Sequence, residues 1–259
     1  MCGADMDNID SLKYILCGEP YVVNQYISIY TPTVKDVIQY GEGKYDALLN
    51  CFTRRPYDEM VDLWDEGIDY TTITDWDMFF DTAQYIPPEA SGILFGGVDF
   101  SSYAKGENTL NGMKVLYDLD DPDNYIDEIV YRKMVKYLRY IHYISEKIEY
   151  DMGNEAGKQF LIKRMRRKRD KMRKDLESGK IKPHSKIFDM IMYCVNNSGC
   201  SYNYDTIQNI PLSLLYETYH YLIHDGARLS VTMGIYAGRV DLSGMQDKSI
   251  LEINPDLHK

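Results

Sequence analysis

The chain has 259 residues, 44% of them hydrophobic and 27% charged, with a formal net charge of −11. This composition excludes a disordered, low-complexity or collagen-like chain and predicts a folded protein of one large domain or two lobes. No run approaches the ~20 apolar residues of a membrane span, and Met1–Asp10 is acidic where an export signal would be basic and then apolar, so a cytoplasmic protein is expected.

The five cysteines, Cys2, Cys17, Cys51, Cys194 and Cys200, are scattered and form no C-x-x-C pair, which favours reduced thiols over a disulfide framework or a zinc site. Tyrosine is the outlier, at 24 against 7 Phe and 2 Trp. A ring with a polar tip suits core edges and contact surfaces alike.

In chain order, residues 1–11 carry no pattern and read as a flexible N-terminus. Tyr21-Val22-Val23 and Tyr26 to Tyr30, around a turn at Asn24-Gln25, predict a β-hairpin. Thr33, with Asp36 three residues on, reads as an N-cap for a helix ending near Arg54-Arg55-Pro56; Gly41 and Gly43 predict a break within it. Short helices follow at Tyr57–Glu66, closed by Gly67, and from Thr74 or Asp75 to Tyr85, stopped by Pro87-Pro88. Ile93-Leu94-Phe95, Gly96-Gly97 and Val98-Asp99-Phe100 predict a second hairpin, to which Met113–Leu119 adds a strand.

From Asn124 the apolar positions Ile126, Val130, Met134, Tyr137, Ile141, Ile144 and Ile148 step by three and four, the strongest helical pattern in the chain. Asp118, Asp120, Asp121 and Asp123 stand ahead of it, where carboxylates favour a helix dipole. Further helices are predicted over 154–176 and 185–195 and briefly near Tyr204–Gln208. A long one opens at Pro211, carries Leu214, Leu215, Thr218, Leu222, Leu229, Met233 and Tyr236, and closes at Gly238. The fold class is therefore α+β and predominantly α-helical, with an N-terminal hairpin and a small antiparallel sheet in a first lobe (12–123) and a helical second lobe (124–259). The two lobes are also compatible with one continuous domain.

Sites for chemistry are sparse. Glu217-x-x-His220-x-x-x-His224 is half of a di-iron motif, and the other half is missing. Asp118 to Asp123 lacks the glycine and the closing glutamate of a calcium loop, and Gly41-Glu-Gly43-Lys44 lacks the spacing and hydroxyl of a phosphate loop. With no nucleophile elbow and no paired acids, a non-enzymatic protein without a cofactor is expected.

The residues that stand out are basic. Lys163, Arg164, Arg166, Arg167, Lys168, Arg169, Lys171, Arg173 and Lys174 lie in a twelve-residue run with a single acid, and without that run the rest of the chain carries a formal −19. Such a helix can meet an acidic partner, the protein's own acidic part, solvent, or the phosphates of a nucleic acid. Nucleic-acid binding is the least expected of these, because the base-reading and aromatic groups that accompany it are missing.

Several stretches together resemble proteins from the tail-morphogenesis region of tailed phages and prophages of Gram-positive bacteria. They are Pro32-Thr-Val-Lys-Asp-Val-Ile-Gln-Tyr-Gly-Glu42, Leu63-Trp-Asp-Glu-Gly-Ile-Asp69 with Thr74-Asp-Trp-Asp-Met-Phe79, Tyr131-Arg-Lys-Met-Val-Lys-Tyr-Leu-Arg-Tyr-Ile-His142, Gly153-Asn-Glu-Ala156, and Tyr202-Asn-Tyr-Asp-Thr206 leading into Ile210-Pro-Leu212. The resemblance spans nearly the whole chain. It implies a tail assembly chaperone, a non-catalytic protein that keeps the long helical tape-measure protein, or another tail protein, soluble until the tube forms around it. A virion component such as a tail-completion or connector protein, and a regulator binding nucleic acid through 163–174, are the alternatives. Association of the chain with itself is left open. The resemblance departs at the basic run, where the family leads one to expect a helix of mixed charge.

Overall fold

The computed structural model describes residues 8–108, 112–145, 154–182, 184–245 and 248–253. It is mainly helical, with two small antiparallel sheets, as the sequence predicts. A helix α1 (Asn8–Cys17) leads into strands β1 (Tyr21–Val22) and β2 (Ser28–Ile29), paired Tyr21 to Ile29. The α1 helix begins inside the segment expected to be flexible; residues 1–7 lie outside the described residues.

Two successive helices follow, α2 (Val34–Tyr40) and α3 (Glu42–Thr53), because Gly41 adopts φ 101° and interrupts them. Thr33 and Asp36 form a reciprocal capping box at the start of α2, and Thr74 and Asp77 form a second one. The latter opens α5 (Asp75–Thr82), after the short α4 (Met60–Asp65) that Gly67 closes.

The second predicted hairpin is not formed. Pro88 stands in the first turn of a helix α6 (Pro88–Phe95) that takes in Ile93-Leu94-Phe95. Gly96 ends it in the left-handed region at φ 63°, and a Cβ there would meet the Tyr30 ring at 2.7 Å. The apolar run lacks the alternation of a half-buried strand, and the proline in the first turn of the same segment favours helix. The strand predicted at Met113–Leu119 does form, as β4 (Lys114–Asp118), but its neighbours are other residues: β3 (Tyr103–Glu107), β4 and β5 (Tyr125–Ile126) pair in that order.

The strongest helical pattern is accordingly shorter than predicted. Ile126 sits in β5, Asp127 caps α7 (Glu128–Ile141), and Ile144 lies past its end; Ile148 falls outside the described residues. The four aspartates expected to favour this helix instead build the β4–β5 turn: the Asp118 carboxylate accepts from the Asp120 amide and the Asn124 side chain, and Asp121 accepts from the Asp123 amide. Beyond it stand α8 (Glu155–Glu177), α9 (Lys186–Val195) and α10 (Leu212–Tyr236), the last opening after Pro211 and closing at Gly238. The short helix expected near 204–208 is a 3₁₀ turn at Ile207–Asn209. No helix among the described residues is long and apolar enough to cross a membrane.

The main core runs across the expected lobe boundary, from Val23 to Leu222. Helix α7 buries Tyr131, Met134, Val135, Tyr137, Leu138 and Ile141 against α3 and α5, and β5 pairs with β4 across residues 118–124. Backbone bonds from Val34 to Ile210 and from Leu212 to Pro32 tie the start of α10 to the start of α2. One cluster of buried side chains thus serves both halves.

Many tyrosines belong to this core with their hydroxyls satisfied. Tyr131 donates to the Phe52 carbonyl at 3.0 Å while its ring stacks on Phe79 at 4.9 Å, and Tyr137 stacks on Tyr21 at 4.3 Å. The Tyr45 hydroxyl lies 2.7 Å from Nε2 of His142, whose Nδ1 lies 2.7 Å from the Leu138 carbonyl. With Nδ1 donating to that carbonyl, Nε2 accepts from Tyr45, so the ring is held neutral.

Burial lowers the His142 pKa to about 4. The unfolded chain takes up this proton near pH 6.5. His142 therefore costs no stability above pH 6.5, and the folded state loses ground as pH falls toward 4, by up to about 3 kcal/mol. Urea unfolding of the wild type and His142→Gln between pH 7 and 4 is expected to show a steeper decline in the wild type, by about one proton's worth, although the variant starts lower. Parallel curves would show that the imidazole is not buried neutral.

Candidate interaction surface on helix α8

The basic run lies wholly on α8, which starts where Asn154 accepts a hydrogen bond from the Gly157 amide at 2.7 Å. At 1.5 Å per residue this helix is about 34 Å long, yet it buries only Leu161 and Ile162. Those two join Met60, Val61 and Tyr70 in a second, smaller core, edged by Tyr57, Leu63, Trp64 and Met165. Its partner helix α4, at six residues, covers about 9 Å of that length. From 171 to 177 every α8 residue except the half-buried Asp175 is exposed.

Three acids from α4 and the loop after it line up against α8. Lys158 binds Asp69 at 2.6 Å and Thr71 at 2.7 Å, Arg166 pairs with Asp65, and Arg169 pairs with Asp62 at 2.5 Å. The hydrogen bond from Lys158, helped by the Thr71 amide and hydroxyl, holds the Asp69 carboxyl down at about 2. Part of the basic run therefore meets the protein's own acidic residues, one of the destinations its composition allows.

The nine residues divide by face. Arg166 and Arg169 point to α4, and Arg173 makes long contacts within the helix, to Asp170 at 3.5 Å and Glu177 at 4.0 Å. Lys163, Arg164, Arg167, Lys168, Lys171 and Lys174 make no ion pair among the described residues, and all are exposed. At 100° per residue these six fall within an arc of about 140° on the side opposite Ile162 and Arg169, with Lys168 at the edge next to Leu161, along roughly 16 Å of helix. Phe160, 64% exposed, lies in the middle of the same arc one turn upstream. Met172 and Leu176, both exposed, continue the row of Leu161 and Met165 past the end of α4.

Phe160 and the cis carboxylates were not nominated from sequence, although Asp62 and Asp65 repeat the three-residue spacing of Arg166 and Arg169. That spacing match is the signal that would have paired the two helices.

The other nominated groups serve the fold. The Tyr143 hydroxyl donates to Glu217, and its ring stacks on His220 at 4.2 Å, so a tyrosine occupies the space between these two candidate ligands. Tyr143 holds φ 55° at the end of α7, and the Ile144 amide reaches back to the Arg139 carbonyl at 2.9 Å, a helix end that normally takes glycine. The stack and hydroxyl bond offset that strain and pin α7 to α10. No group of three His, Cys, Asp or Glu that could hold a metal occurs among the described residues. Of the cysteines, Cys17, Cys51, Cys194 and Cys200 are free thiols; Cys2 lies outside the described residues. A hollow between α5 and α7 holds charges that pair among themselves, Arg139 with Asp75 and Arg132 with Glu128, each at 2.5 Å.

No family model, curated protein or solved structure matches the chain.

The α4–α8 unit has its own small core, so its stability is separable from that of the main one. Ile162→Ala is expected to speed amide exchange in α4 and α8 by the equivalent of about 2 kcal/mol or more, leaving α7 and β4 protected. Asp65→Asn, which removes one exposed ion pair, should cost under about 1 kcal/mol. Equal loss of protection in α7 would show that the two cores unfold together.

Proposed function

We propose that this protein is a non-catalytic tail assembly factor that binds the tape-measure protein of a tailed phage in the host cytoplasm and keeps it soluble until the tail tube forms. Two things support this reading. The segments that resemble tail-morphogenesis proteins run along nearly the whole chain, and the C-terminal half of α10 keeps apolar side chains that the described residues leave exposed.

The carrying observation is α10. Leu215 and Leu222 are buried, and the same face continues at seven-residue steps through Leu229 to Tyr236, with Met233 beside them. Exposure rises along the row from 7% at Leu222 to 68% at Met233 and 88% at Tyr236. A helix whose core-facing stripe runs on into solvent is suited to lie in or beside the groove of a second helical chain. Tape-measure proteins are long and helical, and they need such cover before assembly.

A second reading, a nucleic-acid-binding regulator, draws on the six unpaired cations of α8. It predicts binding to DNA or RNA that weakens steeply with salt.

Co-expression with a tape-measure protein from the same genome is the direct test. That protein is expected to become soluble and to co-purify, and Met233→Asp with Tyr236→Asp should reduce recovery several-fold while leaving the thermal unfolding of the free protein nearly unchanged. Mass spectrometry of purified virions should find this chain scarce. Stoichiometric retention would make it a virion component instead, and an insoluble tape-measure protein in the co-expression would overturn the chaperone reading.

A further inference from the structure

We infer that the outer face of α8 is a docking site for an acidic amphipathic helix of another polypeptide, held beside the cations of Lys163, Arg164, Arg167, Lys168, Lys171 and Lys174. The inference rests on the protein-binding reading above and adds to it the chemistry of the segment that is bound.

The structure already contains one complex of this kind. Helix α4 is short, acidic and amphipathic: Asp62 and Asp65 stand three residues apart, and Met60 and Val61 supply the apolar side. It lies against α8 with its carboxylates on Arg169 and Arg166 and its apolar side on Leu161 and Ile162. Helix α8 thus binds an acidic helix through cations at three-residue spacing beside an apolar row.

The opposite face repeats the pattern without an ion-pair partner among the described residues. Arg164, Arg167 and Lys171, with Lys168 and Lys174, follow the same three- and four-residue steps. Phe160 gives this face an apolar anchor at its N-terminal end, and Met172 gives it an apolar flank. A helix with carboxylates at three- and four-residue steps and an apolar edge complements both features.

Like-charge repulsion gives a second argument. Six cations on one face of three turns repel one another and disfavour the helix unless counter-charge is supplied. Within α8 the counter-charge goes elsewhere: Asp170 faces Arg173, Asp175 faces Lys180, and the α4 carboxylates serve the inner side. An acidic helix is favoured over a phosphate backbone because both apolar residues find a use in it, and because the chain outside the run carries a formal −19, even with Lys180, Lys182 and Lys186 following α8.

The test uses the full-length protein and a synthetic probe peptide of ~20 residues, helical, with glutamates along one face and leucines beside them. Fluorescence anisotropy is expected to show binding that weakens about tenfold between roughly 0.05 and 0.5 M salt. The charge reversal R164E/R167E/K171E should weaken it at least tenfold, and the neutral R164Q/R167Q/K171Q by a smaller factor. Circular dichroism should show the fold of both variants unchanged, since these side chains are exposed and make no hydrogen bond or ion pair among the described residues. Phe160→Ala should reduce affinity several-fold without altering the salt slope.

Three outcomes would overturn the inference: no binding of the peptide anywhere between roughly 0.05 and 0.15 M salt, equal binding by the wild type and the charge-reversed protein, or tighter binding of a 20-base-pair DNA duplex or a matching RNA than of the peptide. The assay contains no tail protein. Peptide failure beside successful co-purification of the tape-measure protein would refute only this inference. Peptide binding without co-purification would refute only the tail-assembly reading.

Discussion

Burial of one side of α7 is the constraint on which the remaining architecture depends. Tyr131, Met134, Val135, Tyr137, Leu138 and Ile141 are all removed from water along fourteen residues, and each such side chain contributes roughly 1.5–3 kcal/mol by that removal. The stripe contacts α3 and α5, and its polar tips reach backbone that those helices leave open. The Tyr131 hydroxyl satisfies the Phe52 carbonyl, and Arg139 satisfies the Thr53 carbonyl at 2.8 Å while pairing with Asp75 at the start of α5. Two orphan carbonyls at the end of α3 and the acidic start of α5 are thereby answered from one helix. The end of α3 is thus closed by α7, and one core spans the boundary expected near residues 118–124.

What could be read from the residues followed the locality of the signal. The N-cap at Thr33, the glycine break at Gly41, the helix start at Thr74 or Asp75, the helix start near 154 and the proline ahead of α10 each rest on signals within four residues, and each appears where the sequence places it. The failures share a different cause. Ile93-Leu94-Phe95 is apolar without period, so its state depends on flanking residues and on Tyr30 packing over Gly96. Tyr103–Glu107 contains lysine, glycine and glutamate and becomes a strand because β4 pairs with it along all five residues, which a propensity scale cannot register. For α8 the basic run was plain in the sequence, but its division into an inner and an outer face was not. That division depends on the distant acids Asp62, Asp65 and Asp69.

The charge distribution also bears on how the outer face of α8 behaves. A helix is about 10–12 Å across with its side chains, so the outer cations stand about that far from the carboxylates that pair with Arg166 and Arg169. At physiological salt the Debye length is ≈ 8 Å. The acidic body is then largely screened from anything docked on the outer face, while a carboxylate placed directly on Arg164 or Arg167 is not. In very dilute salt the same body, with a formal −19 outside the basic run, would repel an acidic partner at long range even as its close contacts strengthened. Close pairing and long-range repulsion thus have opposite salt dependences, and the balance favours an acidic partner when salt is sufficient to screen the body but too low to screen the contacts. The separation is a property of the helix diameter. Had the six cations been placed on the loop that follows α4, within a few ångströms of Asp62 and Asp65, they would have been neutralised within the chain and left no face to offer.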